Sequence, residues 1–158
     1  MHGAQQSTTN LWKPAMERGF RRAGDETYVG RLSDAPCTIA VVPVIYGYLG
    51  VLVTAKIVSP LRGTLFWRRG RVASSTFSGG VAPDADDPTF SDEYRVLSDG
   101  PRWSLSEATC HFVRVLNIEY LQAQPPALSI LQMARVPPDD ATLARLDALI
   151  ATLSRIRR

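Results

Sequence analysis

The clearest hydrophobic pattern lies at the C-terminal end of the chain. Pro137-Pro138-Asp139-Asp140 is typical of a helix start, and the apolar positions that follow recur at helical spacing: Leu143, Leu146, Leu149, Ile150, Leu153 and Ile156. The acidic pair at the start and the arginines at the end, Arg155, Arg157 and Arg158, suit the helix dipole. The sequence therefore predicts an amphipathic helix that packs against the rest of the protein.

Two further helices are predicted by weaker patterns. In residues 11–23, Trp12, Met16 and Phe20 recur at spacings of four, and Pro14 suits a first turn. This helix is expected to dock on a sheet; the alternative is a basic amphipathic helix on an anionic membrane. Ser104-Leu105-Ser106-Glu107 reads as a capping box, with Ser104 as the N-cap of a helix over 105–117. Its expected buried stripe is Leu105, Ala108, Phe112 and Val115.

The stretch 35–55 is unusual because it contains no charged residue. Its length alone would suit a transmembrane segment, or a re-entrant or interfacial one. However, Pro43 and Gly47 interrupt it, and its apolar residues are mostly β-branched, which favours strands. We predict two buried strands, about 37–45 and 50–58, joined by a turn around Gly47.

Further strands are predicted at 27–32, 64–69, 71–77, 93–97 and 127–136. Strands therefore come first, followed by helix, strand and helix. This order indicates an α+β fold, an antiparallel sheet with a short N-terminal helix and a packed C-terminal amphipathic helix. We expect residues 1–10 to be a flexible tail and residues 11–158 to form a single α+β domain.

Charge and cysteine content narrow the cellular setting. Residues 1–71 carry a net charge of +6 and residues 72–158 one of −3. The two parts can attract each other in the fold, or the basic part can meet an anionic partner. Cys37 and Cys110 are isolated, as expected of buried free thiols in a reducing compartment, and the N-terminus has no secretory pattern. We therefore expect a cytoplasmic protein, with peripheral membrane contact as an alternative.

The sequence predicts no catalytic, cofactor-binding or metal-ligating residue. His111 adjoins Cys110, but neighbours on a helix point about 100° apart and do not converge on one ion or substrate atom. The acidic loop 84–93 lacks the central glycine and the terminal bidentate glutamate of a calcium loop. Phosphate-binding glycine motifs are also absent from the sequence.

The best candidate for binding is the segment Arg62–Arg71, in which arginines surround aromatic residues. Its candidate anion- or partner-binding residues are Arg62, Trp67, Arg68, Arg69 and Arg71. Arginine can pair phosphates in a bidentate manner, and an exposed tryptophan can stack on a base. The alternative is a solvated, charged edge strand that resists aggregation.

The order of these features resembles a group of uncharacterised bacterial proteins from GC-rich genomes. The shared pattern includes Gly19-Phe20, then Tyr28–Leu32 leading into the hairpin Thr38–Val58. It continues with an Asp-Pro-x-Phe-x-x-x-Tyr-x-Val stretch and a leucine-rich closing helix, here Asp87, Pro88, Phe90, Tyr94, Val96 and Ala141–Ile156. The bias of sixteen arginines over two lysines fits such a genome. The resemblance implies no activity and assigns no functional residue.

These observations favour a non-enzymatic binding or scaffold domain that acts through protein–protein contacts. The expected partner is another protein or a second copy of the chain. The alternative is a module that binds nucleic acid or anionic membrane through Arg62–Arg71. No small-molecule substrate and no cofactor are indicated by the sequence.

Overall fold

The computed structural model describes residues 11–44, 47–57, 64–68, 84–85, 94–97, 104–124 and 126–155. The described helices are α1 (Lys13–Glu17), α2 (Glu107–Val115) and α3 (Asp140–Ser154). The described strands are β1 (Arg21–Gly24), β2 (Thr27–Leu32), β3 (Ala35–Pro43), β4 (Leu49–Lys56), β5 (Thr64–Arg68), β6 (Asp84–Ala85), β7 (Tyr94–Leu97), β8 (Ser104–Leu105), β9 (Ile118–Gln124) and β10 (Ala127–Gln132).

Eight of these strands form one antiparallel sheet in the order β1-β2-β3-β4-β10-β9-β5-β7. The first four follow one another as a meander, and the late hairpin β9–β10 lies between β4 and β5. The short strands β6 and β8 pair in parallel. The predicted α+β fold, with a short N-terminal and a packed C-terminal helix, is thereby confirmed.

The uncharged stretch folds as the predicted hairpin. β3 and β4 pair in antiparallel register from Cys37 opposite Ala55 to Pro43 opposite Leu49. Alternate positions point into the core, where Ile39 and Val53 have no solvent exposure. Among the described residues, no helix is long and apolar enough to cross a membrane.

The helices cover one face of the sheet, and the core lies between them. The inward row runs across five neighbouring strands through Tyr28, Ile39, Val53, Ile130 and Leu121. On the side of the core opposite the sheet, α3 buries five of the predicted apolar positions: Leu143, Leu146, Leu149, Ile150 and Leu153. The sixth, Ile156, lies outside the described residues. The N-cap of α3 is Asp139, whose Oδ1 accepts a hydrogen bond of 2.8 Å from the Thr142 amide.

The N-terminal helix is shorter than the predicted span 11–23. It ends because Gly19 adopts a left-handed φ of +92°, after which residues 21–24 turn back as β1. Trp12 is fully buried, stacks on Tyr28 at 4.3 Å and donates its Nε1 hydrogen to Glu26 Oε2 at 3.0 Å. The helix therefore docks on the sheet through Trp12, whereas Met16 is exposed.

The predicted capping box at Ser104 is wrong by two residues. Ser106 is the N-cap of α2 and accepts a hydrogen bond from the Thr109 amide at 3.1 Å. The two hydroxyls also lie 2.9 Å apart, so Thr109 takes the place expected of a capping glutamate. The buried positions of α2 are Thr109, Cys110 and Val113, whereas Ala108 and Val115, which were predicted to be buried, are exposed.

The other predicted strands differ mainly at their ends. The prediction at 27–32 coincides with β2, and those at 64–69, 93–97 and 127–136 are observed as β5, β7 and β10. Strand β10 ends earlier, at Gln132, while residues 69 and 93 lie outside the described residues. The predicted strand 71–77 lies outside the described residues. Strand β9 has no counterpart among the predicted elements. A β-bulge between Ile118 and Tyr120, at Glu119, interrupts its alternation of apolar and polar positions.

Candidate functional site

The sheet face opposite the helices, called the outer face below, is the candidate site. Its positions alternate with the buried row along each strand. The first outer row contains Val29 on β2, Thr38 on β3, Thr54 on β4 and Ser129 on β10, which lie side by side. Val29 is 41% exposed, Thr54 is exposed, and Thr38 and Ser129 are half-buried. Small apolar and hydroxyl side chains therefore form the middle of this face.

A second outer row runs parallel to the first. It contains Ala40 on β3, Leu52 on β4, Leu131 on β10 and Tyr120 on β9, all half-buried. The Tyr120 hydroxyl donates to Gln122 Oε1 within the same strand. Burial raises the pKa of the Tyr120 hydroxyl above its usual value, so it stays protonated and keeps this hydrogen bond.

A cavity of about 480 Å³ opens beside the first row, across β2, β3, β4 and the start of β10. Its lining is mainly apolar and includes Val29, Pro36 and Ala127, with the hydroxyl-bearing Thr38 and Thr54. Lys56 is the charged residue of this lining and is exposed. The cavity therefore combines an apolar floor with one cation at its edge.

Two arginines extend the basic character of the cavity rim. Arg21 lies on β1, opposite Val29, and Arg31 lies on β2, opposite Pro36. Both arginines are exposed. Arg31 Nη2 donates a hydrogen bond of 2.8 Å to the Asp34 carbonyl, which holds the guanidinium near the β2–β3 turn. We expect an acidic group to be favoured next to this part of the outer face.

Cys37, which lies between the lining residues Pro36 and Thr38, carries a thiol that is chemically quiet. Cys37 is 4% exposed and is not part of a disulfide. Burial raises its pKa to about 12, so the thiol remains protonated and is a poor nucleophile. The Cys37 side chain alternates with Pro36 and Thr38 and belongs to the core, so it supplies no reactive group to the cavity.

Gly30 joins the cavity to the helical side of the sheet. A Cβ atom at Gly30 would lie 2.7 to 2.9 Å from three ring carbons of Phe20, which is itself 3% exposed. Only glycine lets this ring lie directly on the β2 backbone. The position of β2 at the cavity edge thus depends on the Phe20–Gly30 contact.

The predicted binding residues are only partly within the described chain. Trp67 and Arg68 belong to β5, whereas Arg62, Arg69 and Arg71 lie outside the described residues. The register places Trp67 opposite Tyr120 and Arg68 opposite Tyr94. Anion binding by this segment stays a prediction.

The structure separates the two residues that the sequence places side by side on α2. Cys110 is fully buried, whereas His111 is exposed and its ring contacts Phe112. In the described part of the chain, no three histidine, cysteine, aspartate or glutamate residues are grouped as for a metal ion.

The cavity residues were not among the sequence candidates. A signal for them exists at the end of β4, where Val53-Thr54-Ala55-Lys56 alternates apolar and polar positions and so indicates one solvated face.

No family model matches the chain, and no curated protein or solved structure matches it either.

Proposed function

We propose that the protein is a non-enzymatic binding domain that acts through protein–protein contacts, with the outer face as its docking surface. The observation that carries this proposal is the 480 Å³ cavity beside the row Val29–Thr38–Thr54. Apolar surface left open to water gains about 25 cal/mol per Å² when a partner covers it. Threonine hydroxyls within the row supply hydrogen bonds that fix the orientation of a partner.

The chemistry of the cavity favours an extended partner segment with apolar side chains and an acidic residue nearby. The apolar side chains would occupy the floor formed by Val29, Pro36 and Ala127. The acidic residue would meet Lys56, with Arg31 on the same side of the rim. The outer face of a second copy of the chain fits less well than such a segment. It would place the cations Lys56, Arg21 and Arg31 of one copy against the same cations of the other, and these repel each other.

The lining groups themselves support binding rather than bond-breaking chemistry. Among the described residues, they comprise two threonine hydroxyls and a lysine ammonium, together with apolar groups. A hydroxyl nucleophile needs an adjacent base to become reactive. Thr38 and Thr54 face each other across β3 and β4, and neither can serve as that base for the other.

The test is selection of peptides from a random library displayed on phage, with the purified protein as bait. We expect enrichment of apolar sequences that carry an acidic residue. The double variant Thr38→Arg/Thr54→Arg fills the cavity and should lose this enrichment, whereas Ala141→Arg, at an exposed site on α3, should keep it. Enrichment that survives the double variant, or the absence of any enrichment, would contradict the proposal.

A charge reversal sharpens the same experiment. The Lys56→Glu variant should weaken the enrichment of acidic residues, because an anion replaces the cation at the cavity edge while the apolar floor stays. If the variant selects the same acidic peptides as the original protein, Lys56 does not contact the bound segment.

The alternative, nucleic-acid or anionic-membrane binding through Arg62–Arg71, predicts a different response. Binding of a single-stranded oligonucleotide should weaken steeply as salt rises, because phosphate contacts release counterions. It should also weaken in Arg68→Ala/Arg69→Ala. If neither salt nor this variant changes any measured interaction, that alternative is wrong.

A further inference from the structure

The turn between β2 and β3 has a conformation that its own sequence does not favour. Two residues, Ser33 and Asp34, link the paired ends Leu32 and Ala35. Both adopt left-handed backbone angles, with φ of +51° and +61°. Positive φ at both central positions is the type I′ arrangement, for which Asn-Gly is the favoured pair. Since neither central residue is glycine or asparagine, contacts with the surrounding structure must hold this turn.

The helix α3 supplies one such contact. Asp147 is half-buried in the middle of α3, and its Oδ2 accepts a hydrogen bond of 2.9 Å from the Ser33 amide. The residues on either side of the turn, Leu32 and Ala35, are buried in the core, so the turn lies against the helical layer. A hydrogen bond to a carboxylate is stronger than one between neutral groups. Asp147 is therefore suited to hold Ser33 in its left-handed conformation.

The same turn fixes a cation at the cavity rim. Arg31 Nη2 donates a hydrogen bond of 2.8 Å to the Asp34 carbonyl, and Arg31 lies opposite Pro36, which lines the cavity. The backbone angles of Asp34 set the direction of its carbonyl. If the turn leaves the left-handed conformation, this carbonyl rotates away and the Arg31 guanidinium loses its acceptor. The position of Arg31 beside the cavity thus depends on the turn.

We propose that Asp147 is a positioning residue for the outer face. By holding the β2–β3 turn, it keeps Arg31 beside the cavity, where an acidic residue of the partner segment binds. Asp147 belongs to α3, on the other side of the sheet from the cavity, so it acts through the turn and not by contact with a bound segment. Its effect on peptide preference rests on the proposed function, whereas its hold on the turn is a property of the free protein.

The neighbouring carboxylates of this helix have different partners. Asp140 accepts a hydrogen bond from Arg18 Nε at 3.1 Å, and the N-cap Asp139 accepts one from the Thr142 amide. Of the three acidic residues, Asp147 is the one hydrogen-bonded to the β2–β3 turn. Asp140→Ala therefore removes the same charge from the same helix without touching the turn, and it is the matched control.

Amide hydrogen exchange, measured by NMR on the free protein, tests the contact directly. In Asp147→Ala, we expect the Ser33 amide to exchange about tenfold faster or more, because a hydrogen bond to a charged acceptor is lost. Asp147→Asn keeps an acceptor oxygen and should retain most of the protection, and Asp140→Ala should retain all of it. An unchanged Ser33 exchange rate in folded Asp147→Ala would overturn the proposal.

A turn that no longer needs Asp147 gives the second arm. Ser33→Asn/Asp34→Gly introduces the pair that adopts type I′ readily by itself. Added to Asp147→Ala, this pair should return the amide chemical shifts of Gly30 and Arg31 to those of the original protein. It should also restore folding if Asp147→Ala alone is unfolded. Failure of this rescue would mean that Asp147 does not act through the turn.

The binding readout compares an acidic peptide selected by the original protein with the same peptide carrying Asn or Gln in place of its acidic residue. Asp147→Ala should lower the ratio of the two affinities about two- to fivefold, the effect of one exposed ion pair. The triple variant should restore this ratio. An unchanged ratio in Asp147→Ala would overturn the positioning role alone. If the original protein selects no peptide, the proposed function is wrong and the positioning role falls with it, while the exchange rates still report the contact with the turn.

Discussion

Replacement of Gly30 by alanine tests the contact that holds β2 against the N-terminal segment. The added Cβ would lie 2.7 Å from Phe20 Cγ, 2.8 Å from Cδ1 and 2.9 Å from Cδ2. Ordinary carbon–carbon contacts are about 3.5–4.0 Å, so the ring or the strand must move by about 1 Å. Phe20 is only 3% exposed and belongs to the core, so the ring has little room to retreat.

The expected magnitude follows from two opposing terms. Overpacking of a well-packed core costs about 1–3 kcal/mol. Replacement of glycine by alanine within a strand returns about 0.5–1 kcal/mol by restricting the unfolded chain. Taking the middle of each range, we expect Gly30→Ala to lower the free energy of unfolding by about 1 kcal/mol. For a chain of this length, each kcal/mol corresponds to about 2–4 °C, so Tm should fall by about 2–4 °C.

Urea unfolding followed by circular dichroism measures this change, and Gly24→Ala is the matched control. At Gly24 the nearest heavy atom to an added Cβ is Thr27 Cβ at 3.8 Å, which is an ordinary contact, so that variant should be as stable as the original or slightly more so. Phe20→Leu should offset part of the Gly30→Ala penalty, because the smaller side chain relieves the clash. If Gly30→Ala is as stable as Gly24→Ala, Phe20 does not lie on the β2 backbone as described.

Two further predictions concern the pH response and the thiol. Hydrogen bonds from the backbone and side chain of Thr142 lower the pKa of Asp139 in the folded protein. The contribution of Asp139 to stability is therefore complete above its ordinary pKa of 3.8, and it is lost as the pH falls through the lower folded-state pKa. Asp139→Ala should lower the free energy of unfolding by about 1 kcal/mol at neutral pH. Asp139→Asn should keep the cap and lose only the dependence of stability on acid pH. Equal unfolding curves for the original protein and both variants at neutral pH would show that the cap does not stabilise α3. Cys37, with a pKa raised to about 12 by burial, should resist iodoacetamide in the folded protein at mildly alkaline pH and react once denaturant is added, as measured by mass spectrometry of its peptide. Rapid alkylation in the folded state would mean that the core around Cys37 opens.

The sequence was most informative where one periodicity continued without interruption. The stripe from Leu143 to Leu153 follows helical spacing over three turns, and Asp139 supplies a cap immediately before it, so both the type and the start of α3 could be predicted. In the stretch 35–55, β-branched residues and a central glycine outweighed the length that would suit a membrane helix. In both segments, local preference and burial favour the same structure.

Prediction failed where a local signal had two readings. Ser104 and Ser106 both precede a helical pattern, and the choice depends on Thr109, whose side chain reaches Ser106 rather than Ser104. Strand β9 was missed because the bulge at Glu119 shifts its buried positions from a spacing of two to one of three, between Ile118 and Leu121. A bulge is fixed by pairing with a partner strand, which the segment alone does not show.

The cavity could not be predicted because its parts come together only through the sheet order. Val29, Thr38 and Lys56 come from the first meander, but Ala127 comes from β10, which reaches β4 across a long separation in sequence. The pairing of Ala127 with Lys56 closes the cavity at the end where its cation lies. Since loop closure over such a distance is favoured only when the whole core forms, the cavity exists only in the complete sheet. A fragment that ends after β4 would therefore keep Val29, Thr38 and Thr54 but lose the wall of the cavity that Ala127 supplies.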